Sequence, residues 1–432
     1  MLDGLRAAAR RATGEYAVRS LMSDCRRLLS ERGEANSATI ARSLVGRFEA
    51  LVADEEALFF ERLLREFNPD PKAVLEAAQA FAAEPSADHL GRLTQAAEPP
   101  RQELLRRINR LPGGTAAIVG MRRALLGRLA KQPELRAVEA DFLHLLSSWF
   151  NPGFLQLQKV DWNSPAQLLE QLIRHEAVHA IDGWDDLRRR LEPDRRCFAF
   201  FHPQLPAEPL IFVEVALLPE MPDAIAPLLA KSVQPARPEK FRVAAFYSIS
   251  NCQPGLKGVS LGNFLIKRVA EELKRELPQL RSFCTLSPMP GFARWVRDGA
   301  VSERVPEARM ESLAAARRTV VETCGPGLEK LSSATALKSL DEDTLDALTQ
   351  LGAFYLAFHS IAPGGDPVAR FHLDNGARLE RLDPLGDLSA KGVKQSFALM
   401  VNYLYDLERI EAHHEQFIEG KVAHSRAIAS LF

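Results

Sequence analysis

Three groups of residues in this 432-residue chain have types and spacings that could do chemistry. The first is His175-Glu176-Ala177-Val178-His179, an HExxH pattern. On a helix it would set two imidazoles one turn apart on a zinc ion, with the glutamate polarising a bound water. A third protein ligand is needed. No HExxHxxGxxH continuation follows: Ala180-Ile181-Asp182-Gly183-Trp184 ends the helix within a turn, and Glu192 precedes Pro193. A polar helix end with chance spacing is the better reading. The second group is the loop Gln253-Pro254-Gly255-Leu256-Lys257-Gly258-Val259-Ser260-Leu261-Gly262-Asn263, with a strand before it and a helix after. Glycines let backbone N–H groups approach a phosphate at a helix N-terminus. The ordinary alternative is a turn capping a helix. No GxGxxG with an acidic residue further on is present, so a nicotinamide is not implied. The third group is Thr285-Leu286-Ser287-Pro288-Met289-Pro290-Gly291-Phe292 together with Arg370-Phe371-His372-Leu373-Asp374-Asn375-Gly376. Ser287 ends a strand at a rigid turn, where a hydroxyl can face a cleft. Periodicity alone favours turn capping for Ser287 and a satisfied core histidine for His372. No GxSxG nucleophile elbow is present.

The elements that must position these groups fall into two halves. Residues 1–148 read as four to eight amphipathic helices, with apolar residues such as Leu51, Leu58, Phe59, Leu63 and Leu64 at helical spacing. Breaks fall at Asn68-Pro69-Asp70-Pro71, Glu98-Pro99-Pro100 and Leu111-Pro112-Gly113-Gly114. Residues 149–432 mix strands with helices. Strands are expected at Cys197–Phe201, Leu210–Leu217, Phe241–Ser248, Phe283–Leu286 and Ala369–Leu373. A helix is expected over Leu261–Leu277, and a helical block from Glu307 to Ala362. The fold class expected is α+β: an all-helical bundle, then an α/β domain with helical insertions.

Composition narrows the partners. Hydrophobic residues make up 46%, which excludes extensive disorder. Fifty-five Lys and Arg balance 56 Asp and Glu, so nothing pulls the whole chain toward nucleic acid or an anionic membrane. No apolar run reaches the ~20 residues of a membrane span. Five scattered cysteines without a CxxC pair argue against a disulfide scaffold and for a reducing compartment. The Arg- and Ala-rich stretch Arg6–Arg19 faintly suggests a mitochondrial presequence, against which Asp3 and Glu15 count. The C-terminal Ser430-Leu431-Phe432 is not a peroxisomal signal, and the location expected is cytoplasmic.

Lys257 to Leu265 resembles the pyrophosphate loop of the Gcn5-related acetyltransferase fold, with Ser260 in place of the first glycine and Gly262 at the second. Longer blocks resemble malonyl-CoA decarboxylases. They are Glu208–Leu217, Phe246–Ser250 through Phe264–Val269, Leu286–Phe292, Asp366–Leu373 and Met400–Leu407. The strong blocks span roughly residues 195–415, and the helical half fits by layout only. The resemblance implies an acetyltransferase-like catalytic domain that converts malonyl-CoA to acetyl-CoA and CO₂ without a metal or organic cofactor. It implies Ser287 and His372 as catalytic residues. It implies binding of the acyl-CoA at Lys257, Gly258, Val259, Ser260, Leu261, Gly262, Asn263 and Ile266, with Ser248 and Tyr405 near the reacting group. It suggests a homo-oligomer, a tetramer built as a dimer of dimers.

The chemistry is feasible with these side chains. Loss of CO₂ leaves an enolate delocalised into the thioester, which is itself the electron sink. Ser287 can hydrogen-bond or orient the carboxylate, and His372 can protonate the carbanion. A backbone N–H or Ser248 could face the enolate oxygen, and Ser287 could instead accept a proton through a water. The other readings are an N-acetyltransferase of the same fold, a zinc peptidase, and a non-catalytic CoA-binding regulator.

Overall fold

The computed structural model describes residues 2–30, 36–232, 234–259, 261, 265–362 and 364–432, with side chains from residue 13 onward. Of the expected loop, Ser260, Gly262 and Asn263 lie outside the described residues. The chain divides into two compact units. One comprises residues 1–156, 201–209 and 253–261; the other comprises 157–200, 210–252 and 262–432.

The first unit is helical. Its helices are α1 (Leu2–Leu29), α2 (Ser37–Glu49), α3 (Ala53–Glu66), α4 (Pro71–Ala83), α5 (Ala87–Ala97), α6 (Pro100–Asn109), α7 (Gly114–Leu126) and α8 (Arg136–Trp149). The three Pro/Gly breaks separate them as expected. Asp70 caps α4 through the Lys72 N–H, with Pro71 at the first helical position, where a missing N–H costs nothing. Gly113 opens α7 at φ +81°, a left-handed conformation that favours glycine. Phe48, Phe59 and Phe60 meet edge to face at 5.3–5.9 Å and anchor the α2–α3 core.

This unit also holds the loop 253–261. Buried Arg122 on α7 donates to the carbonyls of Gly255 and Lys257, each at 2.7 Å, and to Glu139 at 2.6 Å. Gly255 lies so close to α7 that a Cβ there would come 2.1 Å from the Val119 carbonyl oxygen. The loop is therefore clamped to the helix, with Lys257 and Gly258 exposed and Val259 buried.

The second unit is built on an eight-stranded mixed sheet. Its strands are β1 (Gln156–Val160), β2 (Arg195–Phe201), β3 (Ile211–Leu218), β4 (Val243–Asn251), β5 (Ser282–Thr285), β6 (Ser287–Pro288), β7 (Arg378–Asp383) and β8 (Met400–Leu404). The order is β1-β2-β3-β4-β5-β8-β6, with β7 on β8. Strands β2 to β4 are antiparallel and nearly all buried, which explains their Val-, Ile- and Phe-rich runs. Strand β4 runs parallel to β5 only as far as Phe246 opposite Thr285. One residue later, Tyr247 is bulged out of register with β3. Beyond this point β4 and β5 part. The helix after the loop covers Leu265–Glu276 and buries Leu265, Ile266, Val269, Ala270 and Leu273.

The mixed fold class holds, with one local correction. Ala369–Leu373 is not a strand but part of the helix Pro367–Asp374. Asp366 caps that helix through the N–H groups of Val368 and Ala369, and Pro367 supplies its first φ. The described cysteines are buried, and no disulfide joins them. Among the described residues, no helix is long and apolar enough to cross a membrane.

Candidate active site

Where β4 and β5 part, a cavity of about 300 Å³ opens in the second unit. One wall is Phe246–Ile249 of β4, and the other is Leu286–Pro288 with Val368, Phe371 and His372. The position follows from the topology, since ligands of such sheets bind beyond the carboxyl ends of diverging parallel strands.

Ser287 and His372 come together at this wall although 85 residues apart: Ser287 Oγ lies 3.0 Å from His372 Nε2. Ser287 Oγ also donates to Thr285 Oγ1 at 2.9 Å, which accepts in addition from the Tyr403 N–H at 3.2 Å. On the far side of the ring, His372 Nδ1 lies 2.8 Å from the Tyr405 hydroxyl. Tyr403 stacks on the imidazole at 4.6 Å. Both Ser287 and His372 are buried.

The tautomer follows from this arrangement. Burial pushes His372 down to about 3, so the imidazole is neutral, and burial pushes the Tyr405 phenol up, so it keeps its proton. The phenol then donates to Nδ1, Nε2 carries the ring proton, and that proton points at Ser287. A Ser-His-Asp triad is wired the other way: its carboxylate accepts from Nδ1–H and leaves Nε2 free to take the serine proton. Here the tyrosine makes His372 a donor, which removes the base a serine nucleophile requires.

Two helix ends keep the pair aligned. Asp366 Oδ2, at the start of the His372 helix, accepts from the Gly291 N–H at 3.2 Å and from the Tyr355 hydroxyl at 2.9 Å. It thereby ties the turn after Ser287 to the helix bearing His372. Residue 291 must be glycine here, because a Cβ would sit 2.2 Å from the Tyr355 hydroxyl.

The remaining expected residues are distributed as follows. Ser248 lines the cavity. Tyr405 reaches the site through His372 and not through the cavity wall. The Ile266 side chain is buried in the core of its helix. Lys257, Gly258, Val259 and Leu261 lie in the Arg122-held loop of the first unit.

The HExxH segment does not form a metal site. Helix α9 (Ala166–His175) ends at His175, and Glu176 is already extended, at φ −64° and ψ 108°. The two imidazoles are therefore not stacked on one helix face. The Glu176 carboxylate instead binds the Ser248 hydroxyl, at 2.7 and 2.8 Å from its two oxygens. Arg122 was not singled out by the sequence, and the hydrogen bonds of Thr285, Tyr403 and Asp366 were not apparent from the motifs that contain them. Asp366-Pro367 carried a helix-start signal that could have exposed the first correction.

The comparisons with known proteins decide the family. Residues 153–432 match the malonyl-CoA decarboxylase C-terminal domain, and residues 67–150 match the N-terminal domain. The chain belongs to the malonyl-CoA decarboxylase family. It is a carboxy-lyase by that membership. It is 36% identical over 383 residues to the goose (Anser anser anser) mitochondrial malonyl-CoA decarboxylase, covering 83% of this chain and 76% of the relative. The mouse (Mus musculus) mitochondrial enzyme is 35% identical over 405 residues, covering 88% and 82%. Among solved structures, malonyl-CoA decarboxylase from Rhodopseudomonas palustris aligns with a TM-score of 0.84 at 48% identity, covering 96% of this chain and 99% of that one. The Agrobacterium vitis enzyme aligns at 0.81 and 46%, covering 95% and 99%.

Proposed function

We propose that this protein splits malonyl-CoA into acetyl-CoA and CO₂ at the Ser287–His372 pair. The observation that carries the mechanism is the Tyr405–His372–Ser287 relay, which leaves a proton on Nε2 at the cavity wall. The bond between the α-carbon and the carboxylate breaks, and its electron pair enters the thioester as an enolate. The Ser287 hydroxyl turns from Thr285 to a substrate oxygen. The α-carbon takes the Nε2 proton, and the negative charge passes to the imidazole–phenol pair. A solvent proton then neutralises it, so one proton is consumed per turnover. No step needs an external electron sink.

The Ser248 hydroxyl already donates to Glu176, so the enolate oxygen is better served by a backbone N–H at the Tyr247 bulge. The parting of β4 from β5 supports an acetyltransferase-like domain over residues 149–432. The loop residues Lys257–Asn263 are the proposed seat of the CoA pyrophosphate. Arg122 holding the loop's carbonyls inward, with Lys257 exposed, supports this.

Residues 1–148 are proposed as scaffold and oligomer interface, in a tetramer built as a dimer of dimers. Helices α4 and α5 bury none of their residues and leave Leu75 and Leu90 about half exposed, as a subunit contact would require. Five buried cysteines outside any disulfide support a reducing compartment, here the cytoplasm.

The test of the proton step is turnover in D₂O. Acetyl-CoA carrying one solvent-derived deuterium per turnover, with no acetyl transfer to added amines, supports the mechanism. Acyl transfer to the amine from malonyl-CoA or added acetyl-CoA, without CO₂ release, would replace it.

A further inference from the structure

Glu176 takes no direct part in the mechanism above, yet it stands behind the cavity wall formed by Ser248. The carboxylate is buried. It accepts from the Ser248 hydroxyl at 2.7 and 2.8 Å and from the Ser250 hydroxyl at 3.2 Å. The N–H groups of Val178 and His179 add two more contacts at 2.8 Å each. A serine hydroxyl has one proton. With that proton on Glu176, Ser248 Oγ can offer the cavity only lone pairs, backed by a negative charge.

The other wall has the reverse character: the Ser287 proton rests on the neutral Thr285 hydroxyl and not on a carboxylate, so it can turn to a substrate oxygen, with His372 Nε2–H beside it. The cavity is therefore polarised. Malonyl-CoA carries a free carboxylate at the end of its acyl group, which donors hold and acceptors repel. We infer that Glu176 is a positioning residue that denies the malonyl carboxylate an unproductive seat at Ser248 and directs it to Ser287 and His372. The inference rests on the decarboxylase reading and deepens it.

The experiment is Glu176→Gln, assayed with malonyl-CoA and with acetyl-CoA as product inhibitor. The Val178 and His179 N–H groups hold the amide oxygen, so the new NH₂ faces the serines. The NH₂ then donates to Ser248 Oγ from the Oε2 side at 2.7 Å, the charge is gone, and the Ser248 proton is shared between the amide oxygen at 2.8 Å and the cavity. Malonyl-CoA then gains an unproductive binding mode that acetyl-CoA lacks. The expected result is a fall in kcat and in KM by the same factor, roughly tenfold, with kcat/KM held within about twofold. Acetyl-CoA inhibition is unchanged. In the double variant with Ser248→Ala the matched fall in kcat and KM disappears, because both the turned hydroxyl and the charge are absent. A drop in kcat/KM with equally weakened acetyl-CoA inhibition would overturn the inference and leave Glu176 as wall support only.

If Glu176→Gln does not fold, Ser248→Ala reads the same charge. Baring Glu176 to the cavity should weaken malonyl-CoA more than acetyl-CoA, and equal weakening overturns the inference. Wild-type protein that releases no CO₂ would overturn the decarboxylase reading separately. Calorimetric affinities of the two acyl-CoAs still test Glu176 in that case. Malonyl-CoA binding tightened relative to acetyl-CoA by Glu176→Gln supports the inference, and an unchanged ratio overturns it.

Discussion

Replacing Tyr405 by Phe removes one oxygen atom and tests the wiring of the relay. The Tyr405 hydroxyl lies 2.8 Å from His372 Nδ1, and both residues are buried. Phenylalanine keeps the ring but leaves Nδ1 a buried acceptor without a donor, at a cost of about 1–3 kcal/mol. The imidazole can escape that cost by moving its proton to Nδ1. Nε2 then accepts from Ser287, and the proton for the α-carbon is lost. At about 1.4 kcal/mol per tenfold, the penalty corresponds to a fall in kcat of roughly 5- to 150-fold. Tyr405 does not line the cavity, so KM should stay within about twofold. The assay is acetyl-CoA formation from malonyl-CoA at saturation, with ¹⁵N chemical shifts of the His372 ring in wild type and variant as a direct reading of the tautomer. Unchanged kcat, or a Nδ1–H tautomer already present in the wild type, would refute the reasoning.

Three further outcomes follow from the same contacts. Arg122→Ala removes the donor to the Gly255 and Lys257 carbonyls and strands Glu139, so malonyl-CoA KM should rise while kcat changes less. Glu139 is only half-buried, so the loss of stability falls below the ~3–5 kcal/mol of a fully buried pair and is read by urea denaturation. Burial lowers His372 to about 3 and His179 to about 4, below the ordinary histidine value of about 6.5. The unfolded chain therefore binds more protons between those limits. Stability should be complete above pH ~6.5 and fall as pH drops toward 3, by up to ~1.4 kcal/mol per pH unit for each histidine, in denaturant midpoints taken across that range. Asp366→Asn loses one acceptor facing Gly291 and Tyr355, and should lower kcat more than it raises KM. An equal change in both would contradict its role in aligning the Ser287 turn with the His372 helix.

Much of the architecture was legible because its signals are local. Proline and glycine at residues 69–71, 99–100 and 112–114 end one helix and begin the next without reference to anything distant. Buried strands β2 to β4 announce themselves by composition. The strand reading of Ala369–Leu373 failed because a short run with Val, Phe and Leu nearby suits either state. The Asp-Pro helix start just upstream was the stronger signal. Strand β7, Arg-Leu-Glu-Arg-Leu-Asp, is too polar to stand out and exists because β8 pairs with it. The HExxH pattern shows the opposite failure. Five residues mimic a zinc helix, but the helix stops at His175 because Glu176 serves two serines that lie 72 and 74 residues further along the chain. Ser287 and His372 were found through long blocks of family resemblance. What no local pattern contains is the pairing of His372 with a phenol 33 residues away, which decides the direction of the proton.

The most direct test of the central claim is CO₂ release from malonyl-CoA by EDTA-treated protein, beside Ser287→Ala and His372→Asn. Positioned acid catalysis is worth about 10²–10⁴-fold, so both variants should lose activity on that scale while the chelated wild type keeps its rate. A wild type silenced by EDTA, or a His372→Asn variant as active as the wild type, would contradict a proton delivered from His372 at the Ser287 wall.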